Sequence, residues 1–392
     1  MKDLEPLPLS DQISGAPHPS EAIEIFGQDS AQQQFLEAFD RGRLHHAWLL
    51  SGPRGIGKAT LVWKIAKFLL TMPDPLAQDG LFGAMCQNVS KLETPPVHPV
   101  LPRIMAGSEP ALCVLRRSYD EKRKRFKQNI MVDDVRSLKS FFGLSAADGG
   151  ARVVIIDAAD DMTGSAANAL LKMLEEPPKN AFLFLISHQP AALLPTLRSR
   201  CRELRLSALS QNMVQQALTQ AKIHLSEEQS PLITRLSAGS AGQAIRLAQL
   251  DGDALYSALI STLHTLPNLN QSAALKLAES FAGQASSERF DLLIDLIDYI
   301  LGQTAKTSLI PPDPDAAPTA LDQKLFTKLH KGPMSARKWA FVQQDISQRM
   351  RHGKAVNLDP VTLILDTFFK IEKCAAALYE PKAVNEHTPR DH

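Results

Sequence analysis

Neither sign of charge prevails in this chain: 43 Lys and Arg stand against 42 Asp and Glu, a net charge of +1 over 392 residues. That balance removes the case for a nucleic-acid coat or a membrane-surface protein, so any basic patch is local. Cysteine is scarce. The four present, Cys86, Cys113, Cys201 and Cys374, form no C-x-x-C pair, which argues against a disulfide framework or a four-cysteine zinc site. No apolar run approaches the ~18 residues of a membrane span. The opening MKDLEPLPLSDQ lacks the apolar core of a signal peptide. These absences point to the cytoplasm, where the sequon Asn88-Val89-Ser90 has no use. Hydrophobic residues at 44% allow a sizeable core, and the length suits two or three domains.

Strand and helix signals alternate through the first half. Residues 1–22, rich in Pro, Ser and acids, read as a loose lead-in. A helix is expected over 28–40. Ala47–Leu50 reads as a short strand running into the glycine-rich SGPRGIGKAT (51–60), and a helix over 58–70 follows, with Leu61, Ile65, Phe68 and Leu69 on one face. Residues 71–111 are proline-rich and irregular. A helix is expected over 132–142, then the apolar run Val153–Ile156, as in a central parallel strand buried on both faces. Thr163 is a good N-cap for the next helix, and Pro177-Pro178 stop it. Strands are expected at 182–186 and 201–206, with a short helix over 190–197 between them. Together these predict an α/β domain with a parallel sheet over 23–207. Beyond it the strand signals stop. Three short helices are expected in 208–250, and long helical patterns at 273–302, 336–350 and 361–378 within 251–380. Pro311-Pro312-Asp313-Pro314 marks a loop, and 381–392 a polar tail.

Gly52, Gly57 and Lys58 fit the pattern G-x-x-x-x-G-K-[ST]. Backbone N–H groups in such a turn, at a helix N-terminus, cradle phosphate, and the lysine reaches the outer phosphates. The bland alternative is a glycine-rich strand–helix turn that binds nothing. The hydroxyl that would hold Mg²⁺ is replaced by Ala59. Thr60 is the nearest substitute, but one residue further along a helix points ~100° away. Asp157 ends the run VVII, where ligands collect in open α/β sheets. A working ATPase adds a neighbouring carboxylate to orient the attacking water, and here the neighbour is Ala158. Asp160 and Asp161 read as helix-start acids favoured by the helix dipole. Gly52, Gly55, Gly57, Lys58, Ala59, Thr60 and Asp157 are thus the candidate nucleotide site. It leaves open whether ATP or ADP is held. Mg²⁺ would come only with nucleotide, and no resident metal set is assigned.

Two basic features remain. Residues 116–127, RRSYDEKRKRFK, could contact phosphates, with Tyr119 and Phe126 to stack on bases. The plainer reading is a solvated charged connection. Ser199-Arg200-Cys201 precedes the last strand, but Arg198, Arg202 and Arg205 beside it are equally basic.

IFGQ (25–28), GRLHHAWLLSGPRGIGKAT (42–60), ANALLKMLEEPP (167–178) and LPTLRSRC (194–201) resemble bacterial clamp-loader AAA+ subunits of DNA polymerase III over about 20–250. The resemblance implies a P-loop AAA+ domain, a helical lid over 208–250 and a helical collar over 251–380 that joins a five-subunit ring. It implies gamma/tau and delta subunits as partners, and a sliding clamp and primer-template DNA reached through the complex. Arg200 would be an arginine finger in trans, completing a neighbour's ATP site. The departures fall on this subunit's own chemistry. Ala59 and Ala158 lack their side chains, and the lid's sensor arginine falls at Gly242, one helical turn before Arg246. The four-cysteine zinc module of gamma/tau relatives has only Cys86 and Cys113 as counterparts. The expectation is a stator that helps load the clamp and does not itself hydrolyse ATP. The rivals are an active ATPase using Thr60 with Asp160 or Asp161, and an autonomous DNA-binding module built on 116–127.

Overall fold

The computed structural model describes residues 7–72, 89–143, 150–283, 287–309 and 320–379. Two compact units divide the chain, Met1–Ile245 and Arg246–His392.

Among the described residues the first unit has seven strands: β1 (Ala47–Ser51), β2 (Leu112–Arg116), β3 (Tyr119–Asp120), β4 (Arg125–Phe126), β5 (Arg152–Asp157), β6 (Ala181–Ser187) and β7 (Arg202–Arg205). Five of them form a sheet in the order β2-β5-β6-β1-β7, and every pairing is parallel. Its helices are α1 (Asp29–Asp40), α2 (Lys58–Thr71), α3 (Val100–Met105), α4 (Val132–Gly143), α5 (Gly164–Glu175), α6 (Pro195–Arg198), α7 (Gln211–Gln220), α8 (Gln229–Leu236) and the start of α9 (Ala241–Gln249). Side chains alternate along the strands, so each sheet face owns a core. Trp48, Leu50, Val153, Ile155, Phe184 and Ile186 face Phe35 of α1 and Leu61, Ile65 and Phe68 of α2. Leu49, Val154, Ile156, Leu183 and Leu185 face Val135 and Leu138 of α4 and Leu170 and Leu174 of α5. Thr163 caps α5 as expected, its Oγ1 accepting from Ala166 N at 3.2 Å. The sandwich brings the C-terminal ends of β1, β5 and β6 to one edge, with the P-loop between β1 and α2.

The sequence reading missed β2. Leu112–Leu115 is an apolar run, but it follows the proline-rich stretch and pairs only with β5, at the sheet's rim. It also missed α3. The supposed connection 116–127 is a small antiparallel hairpin of β3 and β4.

The second unit is helical: the end of α9, then α10 (Gly252–Leu263), α11 (Gln271–Glu279), α12 (Ser287–Thr307), α13 (Ala320–Leu329), α14 (Pro333–Ala355) and α15 (Pro360–Tyr379). The pattern read over 273–302 is two helices, because α11 stops at Glu279 and α12 starts at Ser287. Leu293, Ile300, Trp339, Ile346 and Phe368 are fully buried here. The Pro311–Pro314 loop, the 381–392 tail and Cys86 lie outside the described residues. Among those described, no helix is long and apolar enough to cross a membrane.

Candidate functional site

β1 ends at Ser51, whose hydroxyl donates to Glu203 of β7. The chain then turns through Gly55 (φ 77°) and Gly57 (φ 98°), left-handed positions that favour glycine. Gly57 is the residue immediately before α2. Lys58 is 3% exposed. Its ammonium donates to the carbonyl oxygens of Gly52, at 2.6 Å, and Pro53. Burial lowers its pKa to about 8, against the pull of Asp157 and Asp160. The charge that would meet a phosphate is thus turned back onto its own loop. Ala59 packs against the apolar core, and Thr60 follows it along α2.

Asp157 ends β5, in register with Arg116 on β2 and Ile186 on β6. Burial, then the charge of Asp11, raises its pKa to about 7, with Lys58 pulling the other way. Beside it Ala158 is 5% exposed. Asp160 and Asp161 lie in the first turn of a short 3₁₀ helix (Ala159–Asp161), as helix-start acids, and each also has a partner. Asp160 accepts from Ser187 Oγ at 2.7 Å and from the backbone N–H groups of His188 and Gln189, at 2.5 and 3.4 Å. It clips the segment that leaves β6. Asp161 pairs with Arg117 at 3.0 Å. Both carboxylates are thus engaged within the fold. Desolvation, then the charges of Lys58 and Arg54, push the pKa of the half-buried His188 down to about 4.

The start of α9 closes on the loop. Gly242 N donates to Gly55 O at 2.9 Å, and Ser240 Oγ to Arg54 O at 2.9 Å. A Cβ on Gly242 would stand 2.9 Å from Gly55 Cα and 3.1 Å from Ile13 Cδ1. A side chain at this sensor position would therefore clash with backbone. Arg246 is paired with Asp295 at 3.3 Å.

The lead-in is not loose over its described part, residues 7–22. Asp11, its side chain 1% exposed, accepts from Arg116 Nη1 at 2.8 and 2.9 Å. His18 Nε2 lies 3.1 Å from the same carboxylate. Burial raises the Asp11 pKa, but His18 and Arg116 outweigh it and hold the group below the usual carboxylate value. The His18 ring meets Trp63 of α2 edge-on, centroids 5.3 Å apart. Lys67 of α2 donates to Ser20 O. Sequence reasoning missed this because the latch joins residues 105 positions apart, and polar pairs leave no periodic signal.

Arg200 follows α6, two residues past its end. Its Nη1 donates to Thr196 O at 2.9 Å, and its Nη2 pairs with Glu175 Oε1 at 2.7 Å, at the end of α5. Its side chain is 35% exposed and that of Glu175 49%. The neighbouring arginines differ: Arg198 is exposed, and Arg202 lies over the Trp48 ring, 5.0 Å from its centroid. In the basic hairpin, Tyr119 and Phe126 pack on each other edge-on, centroids 5.3 Å apart, while residues 121–125 are exposed. Among the described residues no group of three or more His, Cys, Asp or Glu is gathered for a metal ion.

Comparison with known proteins accords with this geometry. A family described as "DNA polymerase III, delta subunit" matches residues 27–210. The DNA polymerase III subunit delta′ of Pseudomonas aeruginosa is 34% identical over 271 residues, 67% of this chain and 72% of that protein. That of Escherichia coli K12 is 33% identical over 221 residues, 56% of this chain and 59% of that protein. The E. coli subunit tau is 27% identical over 289 residues, 71% of this chain but 40% of that protein. With a parallel P-loop sheet and a helical C-terminal unit, the chain belongs to the delta-prime family of DNA polymerase III clamp-loader subunits.

Proposed function

We propose that this chain is the non-hydrolysing stator of a clamp loader and lends Arg200 to the ATP site of a neighbouring subunit. The observation that carries the reading is a contrast. Arg200 sits at an edge, half-exposed, with its guanidinium held by Thr196 and Glu175. The chain's own P-loop lysine is spent on Gly52 and Pro53. A guanidinium fork at a subunit boundary stabilises charge on a transferring phosphoryl group, worth ~10³–10⁵ in rate at the site it completes.

In this reading 208–250 is the lid and 251–380 the collar that joins gamma/tau and delta subunits. The assembly opens a sliding clamp and places it on primer-template DNA. The names of the relatives, delta′ and tau of DNA polymerase III, support the assembly's kind. A nucleotide, ATP or ADP, would meet the amides of Gly55–Thr60 and Lys58. The residues do not suit Mg²⁺: Ala59 has no hydroxyl, and Asp157 at about 7 is half protonated near neutrality. The DNA-binding rival loses its stacking pair, since Tyr119 and Phe126 face each other.

The test is the complex rebuilt with gamma/tau and delta subunits, carrying Arg200→Ala. Assembly should be intact and DNA-stimulated ATP turnover should fall roughly tenfold or more. Turnover and clamp loading at the unmodified level would overturn the proposal.

A further inference from the structure

The N-terminal segment is anchored beside the P-loop and the end of β2. Three anchors fix its path. Asp11 is bound to Arg116, which is in register with Asp157 on the adjoining strand. Asp11 is also close enough for its charge to act on the Asp157 carboxyl. Ile13 stands over the crown of the P-loop, where its Cδ1 and Gly55 Cα both crowd the one position a Gly242 side chain would take. His18 and Ser20 then tie the segment to Trp63 and Lys67, one and two turns down α2 on the face of Ala59. The strap therefore runs from the end of β2, past the loop, and onto the face of α2 that carries Ala59, Trp63 and Lys67.

We propose that residues 7–21 are an intramolecular gate on the P-loop cleft, so that a nucleoside di- or triphosphate reaches the loop only after the Asp11–Arg116–His18 latch opens. The gate is separate from the role of Arg200. The side chain lost at Gly242 suits it: Ile13 and Gly55 occupy the space that such a side chain would need. A gate of this kind lowers apparent affinity by the fraction of molecules in which it is open.

The experiment titrates the full-length chain with methylanthraniloyl-ADP. Asp11→Ala and Arg116→Ala should each tighten binding about tenfold, and the double variant little further, because both break one latch. Adding Lys58→Ala to either should abolish the gain, which places the ligand on the P-loop. In the unmodified chain, saturating ADP should speed amide hydrogen exchange across residues 7–21. Folded variants that bind no tighter than the unmodified chain overturn the gate, as does a complete lack of binding. Slower exchange across 7–21 with ADP also overturns it, since the segment would then be part of the pocket. Where a variant does not fold, the exchange result on the unmodified chain decides. The readout is binding by the isolated chain, so it can fail while the Arg200 proposal stands, and the reverse.

Discussion

Lys58 and Arg200 are both cations of the same α/β unit, and the fold treats them in opposite ways. Lys58 is 3% exposed and bonded to carbonyls of its own loop, whereas Arg200 is 35% exposed and braced by one carboxylate at the unit's edge. A buried cation that spends two of its three donors on its own loop offers a ligand less than an uncommitted one. A braced and exposed one keeps its planar fork at fixed geometry with room for a second anion. The comparison teaches that the intact-looking motif holds the closed-in cation, while the short Ser-Arg-Cys run holds the open one.

The comparison breaks most readily at Arg200. Arg200→Lys keeps the charge and loses the fork, so DNA-stimulated turnover of the rebuilt complex should stay roughly tenfold or more below the unmodified level; recovery by lysine would mean that only charge matters at this edge. On the closed side the largest effect is expected from Asp160→Ala. It strands Ser187 and two backbone donors at the end of β6 and should cost about 2–3 kcal/mol in urea denaturation.

Asp157 gives a pH-dependent effect. Its carboxyl is raised from 3.8 to about 7, chiefly by burial. Between those values the folded chain keeps a proton that the unfolded chain has released. The stability is fully present below about pH 4 and is lost as pH rises through 7. Asp157→Asn removes that loss, so its advantage over the unmodified chain should grow from pH 4 to 7 and level off above. An advantage independent of pH would mean that the carboxyl is ionised in the fold. The smallest effect belongs to Arg198→Ala. Its exposed side chain should leave complex turnover within about twofold, as a surface position does; a loss matching that of Arg200→Ala would dissolve the distinction between the two arginines.

What could be read from the sequence follows from the kind of signal each feature leaves. β1, β5 and β6 are continuous apolar runs, and α2 and α5 carry helical periodicity with clear stops, so the central sheet and the P-loop were legible. β2 was hidden by its place at the rim and its proline-rich approach. The strap was hidden because Pro, Ser and Asp look like solvent-loving residues until a partner 105 positions away, Arg116, is brought beside Asp11. The same holds for Asp160: acids at a helix start look alike, and only the fold places Ser187 and His188 N within reach of one of them. Losses such as Ala59, Ala158 and Gly242 were visible as departures from a family pattern, but that Gly242 is in backbone contact with Gly55 is a fact of packing.

The strand order also sets a timetable for synthesis. β1 lies between β6 and β7, so its ladder stays open on both sides until residue 187 is made and half-formed until 205. At translation speeds of ~5–20 residues per second, the exposed run Ala47–Ser51 waits on the order of 10–30 s for its neighbours. During that interval a nascent chain presents two bare strand edges and an unplaced N-terminal segment, the condition in which ribosome-bound chaperones and degradation compete for it.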